Sequence, residues 1–452
     1  MNFNVLFVTL HSWRCYWITV ALLVLIFGFV PSSVAENSPT DIFLNQETGR
    51  VQQPLPEEMA ELTLRDAVQF ALLHNPELAA FAKEKRALKG ITLQAGLLPN
   101  PELLFDIEDM GTRANSPGAR FTSIRISQLI EIGGKRSARS RAASLGQEQA
   151  VQIYETKRLD LITQVANVFT DVLVGQERLR IADESKALAQ KVVNTAMKRV
   201  QAGKAPPIEE TKAKVAFATT KIELKQAQRE LVVARKQLTL LWGNPMPKFK
   251  YALGNLESFV AIPDFSVLVA RLRVNPTVLG SRINLEQRKA LLELEKARRI
   301  PDITVNAGVR RYAHPHDTTA LFAFSMPLPL FNRNQGNLLA AHQRVDKAMD
   351  DWAATDLQLR TLLMQAYEGL TAADNEIGTL RDEILPGAKA AFGIAQRGYE
   401  LGKFGFLELL DAQRTLFQNR ALYLRALVNY QRLVNEMERL IAAPIDSSLK
   451  SD

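Results

Sequence analysis

One cysteine, Cys15, and five histidines are all that this chain of 452 residues holds as thiol or imidazole ligands. A lone thiol forms no disulfide within the chain, and no cysteine-based metal site can be assembled from it. Aromatic residues make up only 7%, and the 23 glycines and 20 prolines gather at a few junctions. Between the junctions the chain is rich in Ala, Leu, Lys, Glu and Gln, which permits long helices. Catalytic signatures are missing too. No Ser/His/Asp constellation appears with supporting motifs, and Gly133-Gly134-Lys135-Arg136 lacks the glycine spacing that wraps a phosphate, so no enzyme is expected. Neither sign of charge dominates. Lys and Arg number 56 against 48 Asp and Glu, net +8, and they are dispersed beside Glu as on a solvated helical surface. That pattern does not point to nucleic acid.

What is present begins with an export signal. Arg14 gives a positive flank, residues 16–30 an apolar core and Ser33-Val34-Ala35 a small-residue cleavage site, so residues 1–35 are expected to be a signal peptide. A retained membrane helix fits less well, because the apolar run is about 15 residues and a spanning helix needs about 20. An extended segment over 36–60 follows. Two similar halves, 61–242 and 264–445, are then joined by a linker at 243–263 containing Pro245, Pro247, Gly254 and Pro263, and 446–452 form a tail. The second half echoes the first about 200 residues later: Asn75-Pro76 returns as Asn275-Pro276, and Pro101 as Pro301.

Each half opens with helix and then changes period. Strands are expected at about 101–109 and 120–130, and again at about 302–311 and 320–330. Leu103, Phe105 and Ile107 alternate with Glu102, Asp106 and Glu108, while Ile124, Ile126 and Ile130 alternate with Ser123, Arg125 and Ser127. In the second half Ile303, Val305, Ala307 and Val309 alternate with Thr304, Asn306, Gly308 and Arg310. Phe322, Phe324, Met326 and Leu328 then alternate with Ala323, Ser325 and Pro327. Period two gives each strand one oily and one wet face, and strands of roughly 9–11 residues suit a membrane barrel. Four strands close no barrel. In lipid an open sheet edge leaves backbone groups unpaired, so membrane insertion would require other copies of the chain to complete the sheet.

After each hairpin the period returns to that of a helix. Residues 136–201 form one helical stretch, on the order of 100 Å long at 1.5 Å per residue, with Leu161, Val165, Val168 and Val172 at steps of three and four. A break at 203–207 turns the chain back along 208–242. The second half repeats this with 337–401, a turn at 402–405 and a return over 406–441. Pro386 lies inside the second long helix, where a kink or break is expected. The fold class is thus mainly α with a small transmembrane β part, a tandem repeat of helix, β-hairpin, long helix and return helix.

Several motifs carry a family resemblance: Asn75-Pro76-Glu77-Leu78, Gly96-Leu97-Leu98-Pro99-Asn100-Pro101-Glu102-Leu103, Gly133-Gly134-Lys135-Arg136, Pro327-Leu328-Pro329-Leu330-Phe331, and Gly402 with Leu407 through Gln413. Over about 60–445 the chain resembles the TolC-like outer-membrane efflux family, and within it the cobalt-zinc-cadmium branch. The resemblance implies a homotrimer in outer-membrane lipid, with a 12-stranded β-barrel continuous with a periplasmic α-helical barrel. It would be the exit duct of a tripartite pump, working with a periplasmic adaptor protein and an inner-membrane resistance-nodulation-division transporter, with divalent heavy metals as cargo. Drugs or secreted polypeptides are the alternative cargo, and a soluble periplasmic helical scaffold without a pore is the alternative class.

The resemblance also assigns a gate. Residues matching Glu408 and Asp411 line the periplasmic entrance, and those matching Glu209 and Tyr399 hold neighbouring helices closed. Glu408 and Asp411 stand three apart on one helix face, so threefold copies would form a carboxylate ring that concentrates cations. Acids at a helix start also simply complement the helix dipole. Phe404 stands where better-known members carry an arginine that ties the gate. His314 and His316 flank Pro315 in a loop, two imidazoles being too few to hold a metal ion, and neither a resident metal nor a cofactor is expected.

Overall fold

The computed structural model describes residues 59–108, 121–313 and 317–445. The expected signal peptide, nearly all of the 36–60 segment, most of each hairpin loop, including His314 and His316, and the 446–452 tail lie outside the described residues. The first half comprises β1 (Met59–Thr63), α1 (Leu64–His74), α2 (Pro76–Ala95), β2 (Glu102–Glu108), β3 (Phe121–Ile130), α3 (Lys135–Gln201) and α4 (Pro207–Leu240). A linking strand β4 (Phe249–Leu253) leads to the second half: α5 (Phe265–Leu272), α6 (Pro276–Ala297), β5 (Ile303–Tyr312), β6 (Thr318–Ser325), α7 (Gln335–Thr379), a π-helical turn Leu380–Ile384, α8 (Leu385–Glu400) and α9 (Phe406–Ile441). None of the described helices is long and apolar enough to cross a membrane.

α3 is the common support, packing against α1, α2, α4, α6 and α9. Its contact with α4 is built from small residues. Gly175, Ala182, Ala189 and Ala196 are buried at intervals of seven on α3, and Ala213, Thr220, Ala227 and Ala234 at the same interval on α4. A heptad seam of residues this small lets two antiparallel helices approach closely. At Gly175 an added Cβ would lie 3.2 Å from Leu231 Cδ1. The α7–α9 contact uses larger side chains, with Leu363, Leu370, Ile377, Tyr430 and Met437 in one buried cluster.

The Asn-Pro echo has a structural purpose in both halves. Each asparagine caps the helix that follows it, with proline at the first helical position where no N–H is required. Asn75 Oδ1 accepts from Leu78 N at 2.9 Å, and Asn275 Oδ1 from Thr277 N at 2.8 Å. Each side-chain amide then donates to the end of its own half's return helix, Asn75 to the Leu241 carbonyl at 2.9 Å and Asn275 to the Leu440 carbonyl at 2.8 Å. One residue thus fastens two elements more than 160 positions apart in sequence.

Two expectations need correction. β6 ends at Ser325, not 330. Ser325 pairs with Thr304, one residue from the start of β5, so among the described residues no strand runs beside 327–330, and Pro327 and Pro329 bring no N–H donors. At Pro386 the expected break does not occur, since the chain stays helical on both sides of it. The π-helical turn precedes it, with Leu385 N–H donating to the Leu380 carbonyl five residues back, and the proline sits in the first turn of α8.

Candidate functional site

The four central strands form one antiparallel sheet in the order β2-β3-β5-β6, with β3 of the first half against β5 of the second. Register sorts the side chains into two faces. Asp106 pairs with Ser123, Ser123 with Arg310 and Arg310 with Thr319 on one face, while Phe105 pairs with Ile124, Ile124 with Val309 and Val309 with Ala320 on the other. The apolar face lies open, with Phe322 and Phe324 81% and 84% exposed. On the polar face Arg125 meets Asp106 at 2.6 Å, Ser123 donates to the same carboxylate at 3.1 Å, and the Arg310 guanidinium lies 3.8 Å from the Phe121 ring centroid. Gly308 is required there. A Cβ would stand 2.2 Å from the Ile124 carbonyl oxygen and 2.7 Å from Arg125 Cγ. Leu104, out of step with the alternation in sequence, sits opposite Arg125 on this polar face.

Where the sheet meets α3, the Gly-Gly-Lys-Arg motif acts as a joint. Gly133 and Gly134 take φ of 73° and 75°, a region that glycine enters without strain. Lys135, almost fully buried, forms an ion pair with Asp302 at 2.7 Å, tying the two halves together. Arg136 and Arg139 donate to the Gly96 and Ala95 carbonyls at 2.6 and 2.9 Å, and so satisfy the open C-terminal end of α2. The second half does the same task with Asn334. At φ 61° it donates to the Glu295 carbonyl and carboxylate at 2.9 and 2.7 Å.

At the far helix ends, two of the four expected gate residues are brought together. Tyr399, 1% exposed, donates from its hydroxyl to Glu209 at 3.1 Å. Burial first, then the Glu209 carboxylate, pushes its phenol up to about 12. The Tyr399 ring packs against Phe406, 5.8 Å between centroids, within a cluster that includes Val192, Ala196, Phe392 and Leu409. Glu408 and Asp411 belong to the first turns of α9 and are exposed, with no hydrogen bond or ion pair among the described residues. Arg199 escaped the sequence reading. Its guanidinium lies 4.4 Å from the Tyr399 ring centroid and donates to the Tyr399 carbonyl. A lone arginine late in a helix 200 residues away gives no signal of such a contact. Among the described residues, no three His, Cys, Asp or Glu side chains are grouped to hold a metal ion.

Two halves that share one sheet, present an open oily face and support it on paired helices define a subunit of the helix-and-hairpin channel class. The chain belongs to the outer membrane efflux protein family, which it matches over residues 67–244 and 268–443. It is 39% identical to the cobalt-zinc-cadmium resistance protein CzcC of Cupriavidus metallidurans, over 90% of this chain and 97% of that one. The nickel and cobalt resistance protein CnrC of the same organism is 26% identical over 69% and 72% of the two chains. Among solved structures, the fold matches that of CusC, described in relation to transmembrane channel formation, with a TM-score of 0.74 at 18% identity over 84% of this chain and 92% of that chain. Membership places the protein at the outer membrane as an efflux duct and not an enzyme.

Proposed function

We propose that the protein is the homotrimeric exit duct of a tripartite pump for divalent heavy-metal cations, joined in the periplasm by an adaptor protein and through it to a resistance-nodulation-division transporter. One observation carries the assembly. Among the described residues the sheet has two unpaired edges, β2 and β6, and an exposed apolar face. In lipid each unpaired edge group costs several kcal/mol, and three copies joined β6 to β2 close a 12-stranded barrel that leaves none. The polar face, with Asp106, Arg125 and Arg310, then lines the lumen. Cargo rests on the relatives: CzcC and CnrC are named for resistance to cobalt, zinc, cadmium and nickel. The metal ion is substrate here, passing without a resident site. In the same reading 1–35 is a removed signal peptide and 243–263 an equatorial linker. The far turns form the entrance, with Glu408 and Asp411 as a carboxylate ring, and Glu209 and Tyr399 as the closing contact.

The test is recovery and conductance of the whole chain. Extraction should need detergent, the extracted protein should have the mass of three copies, and only that species should conduct in planar lipid. A conducting monomer, or full recovery in the soluble periplasmic fraction, would overturn the duct.

A further inference from the structure

The two far turns close alike but are not copies. Gly203 and Gly402 both take left-handed φ, 67° and 73°. Lys204 N–H donates to the Arg199 carbonyl at 2.8 Å, and Lys403 N–H to the Gly398 carbonyl at 2.7 Å. With Gly203 matched to Gly402, Arg199 stands where the second turn has Gly398, and Ala205 where it has Phe404. The exchange of bulk is complementary. Phe404 folds back onto Gly398, so that an added Cβ would meet Phe404 Cδ2 at 1.9 Å. In the first turn the matching residue, Ala205, has no ring to fold back. The Arg199 side chain leaves its own turn and lies against Tyr399, as described, at the end of α8.

Tyr399 is thereby held by three residues, by Arg199 of α3 at its ring face and carbonyl, by Glu209 of α4 at its hydroxyl, and by the tilted ring of Phe406 of α9. Only one of these contacts brings a full positive charge. A half-buried guanidinium over an aromatic ring, donating also to a carbonyl, is a strong contact that water competes with poorly. It has an opposing feature. Arg199 Nε is buried without a hydrogen-bond partner, and an unmet donor is satisfied only if the side chain moves out to water. The unmet donor therefore offsets part of what the ring and carbonyl contacts contribute.

We propose that Arg199 is the positioning residue that clasps the first repeat's turn onto the second and holds the entrance closed in a chain whose position 404 is phenylalanine. The inference rests on the reading of these turns as the duct's entrance. Arg199→Met keeps the aliphatic bulk and removes charge and donors. In planar lipid, purified full-length oligomer bearing it should show the ratio of open to closed time raised roughly tenfold, with its thermal transition unchanged. Arg199→Lys, which keeps the charge and a donor, should restore most of the closure, and Arg199→Gln replaces the Met variant if that one fails to assemble. A charge-free variant that closes like the wild type overturns the clasp. So does a Lys variant as open as the Met variant with a lowered thermal transition, since that pattern marks packing alone. If neither the wild-type oligomer nor the Met variant carries any current, the duct reading falls and takes the clasp with it. A conducting wild type indifferent to position 199 defeats the clasp only.

Discussion

α3 keeps one seam along its pairing with α4, with small residues at 175, 182, 189 and 196. Its counterpart begins with the same spacing, Leu359, Ala366, Ala373 and Leu380, and then resumes at Ala388 and Ala395, one residue late. An extra residue in an α-helix would turn every later side chain by about 100° away from its partner. The π-helical turn at Leu380–Ile384 takes up that residue, because a bond reaching five residues back encloses one more than the ordinary four. Pro386 follows where its missing N–H and its ring are tolerated. The two long helices thus obey one periodicity, and the difference between them is how an insertion was absorbed.

Removing one residue from each helix would test that account most severely. Deleting Ala187 from α3 rotates Ala189, Val192, Val193 and Ala196 off the seam, and should cost more than about 4 kcal/mol, enough to abolish the folded oligomer. Deleting Asp382 together with Pro386→Ala converts the π turn to α-helix and brings Leu380 and Ala388 back to a spacing of seven, so it should stay within about 1 kcal/mol of wild type. Thermal unfolding followed by far-UV circular dichroism reads both. Equal losses from the two deletions would show that the π turn absorbs nothing.

A smaller effect is expected from making the second turn more like the first. Gly398→Ala forces the Phe404 ring out of its place, at about 1–3 kcal/mol. It should speed amide exchange at Lys403 and Phe404, whose N–H groups both donate to the Gly398 carbonyl. Adding Phe404→Ala, the residue type found in the first turn, should recover most of the loss, since the two sites share one contact. Additive losses would mean that Phe404 does not depend on the glycine.

Tyr399 and Tyr423 sharpen the comparison between the far turns and the linker region. Both phenols are raised to about 12, by burial first and then by a carboxylate, Glu209 for Tyr399 and Glu257 for Tyr423. A folded-state value above the ordinary 10.0 means that the native protein holds the proton more tightly, so the contribution is complete below about pH 10 and is lost as pH rises through about 12. Glu209 and Arg199 are the charged groups that face Tyr399. Ionising Tyr399 turns its hydrogen bond to Glu209 into repulsion, so the duct should open between about pH 10 and pH 12. Tyr399→Phe should remove that step in conductance and Tyr423→Phe should leave it. A step that survives Tyr399→Phe assigns the opening to another group.

Legibility in the sequence followed the length of the pattern. The hairpins were readable because alternation over Leu103–Ile107 or Ile303–Val309 has one interpretation once both faces are seen. The same alternation misled at Met326, Leu328 and Leu330, because periodicity within a strand does not show where the neighbouring strand begins, and β5 starts at Ile303. Proline chemistry pointed to Pro386, but the remedy required counting the buried stripe across it. Glu209 and Tyr399 were carried over from a family likeness, and their contact could not be derived from positions 190 apart. Arg199, Arg136 and Arg139 look like any surface arginine until the carbonyls they reach are known.

Glu408 and Asp411 contrast with Glu209 and should give the smallest effect, confined to how cations bind. Glu209 is engaged by Tyr399, whereas Glu408 and Asp411 are exposed and unpaired at the start of α9. In the matching place of the first repeat, Lys212 stands where the second has Asp411, so the first turn cannot supply a second acid one helical turn on. In a trimer the unpaired acids would therefore come from the second repeat alone, three copies of each, screened by water and counter-ions. The conducting oligomer should be cation-selective and blocked by a multivalent cation added on the periplasmic side. Glu408→Ala with Asp411→Ala should weaken that block by roughly tenfold or more, with the thermal transition and the alkaline opening both preserved. His314→Ala with His316→Ala should change none of these. Block that persists undiminished in the double carboxylate variant would leave Glu408 and Asp411 as helix-start acids that complement the dipole of α9.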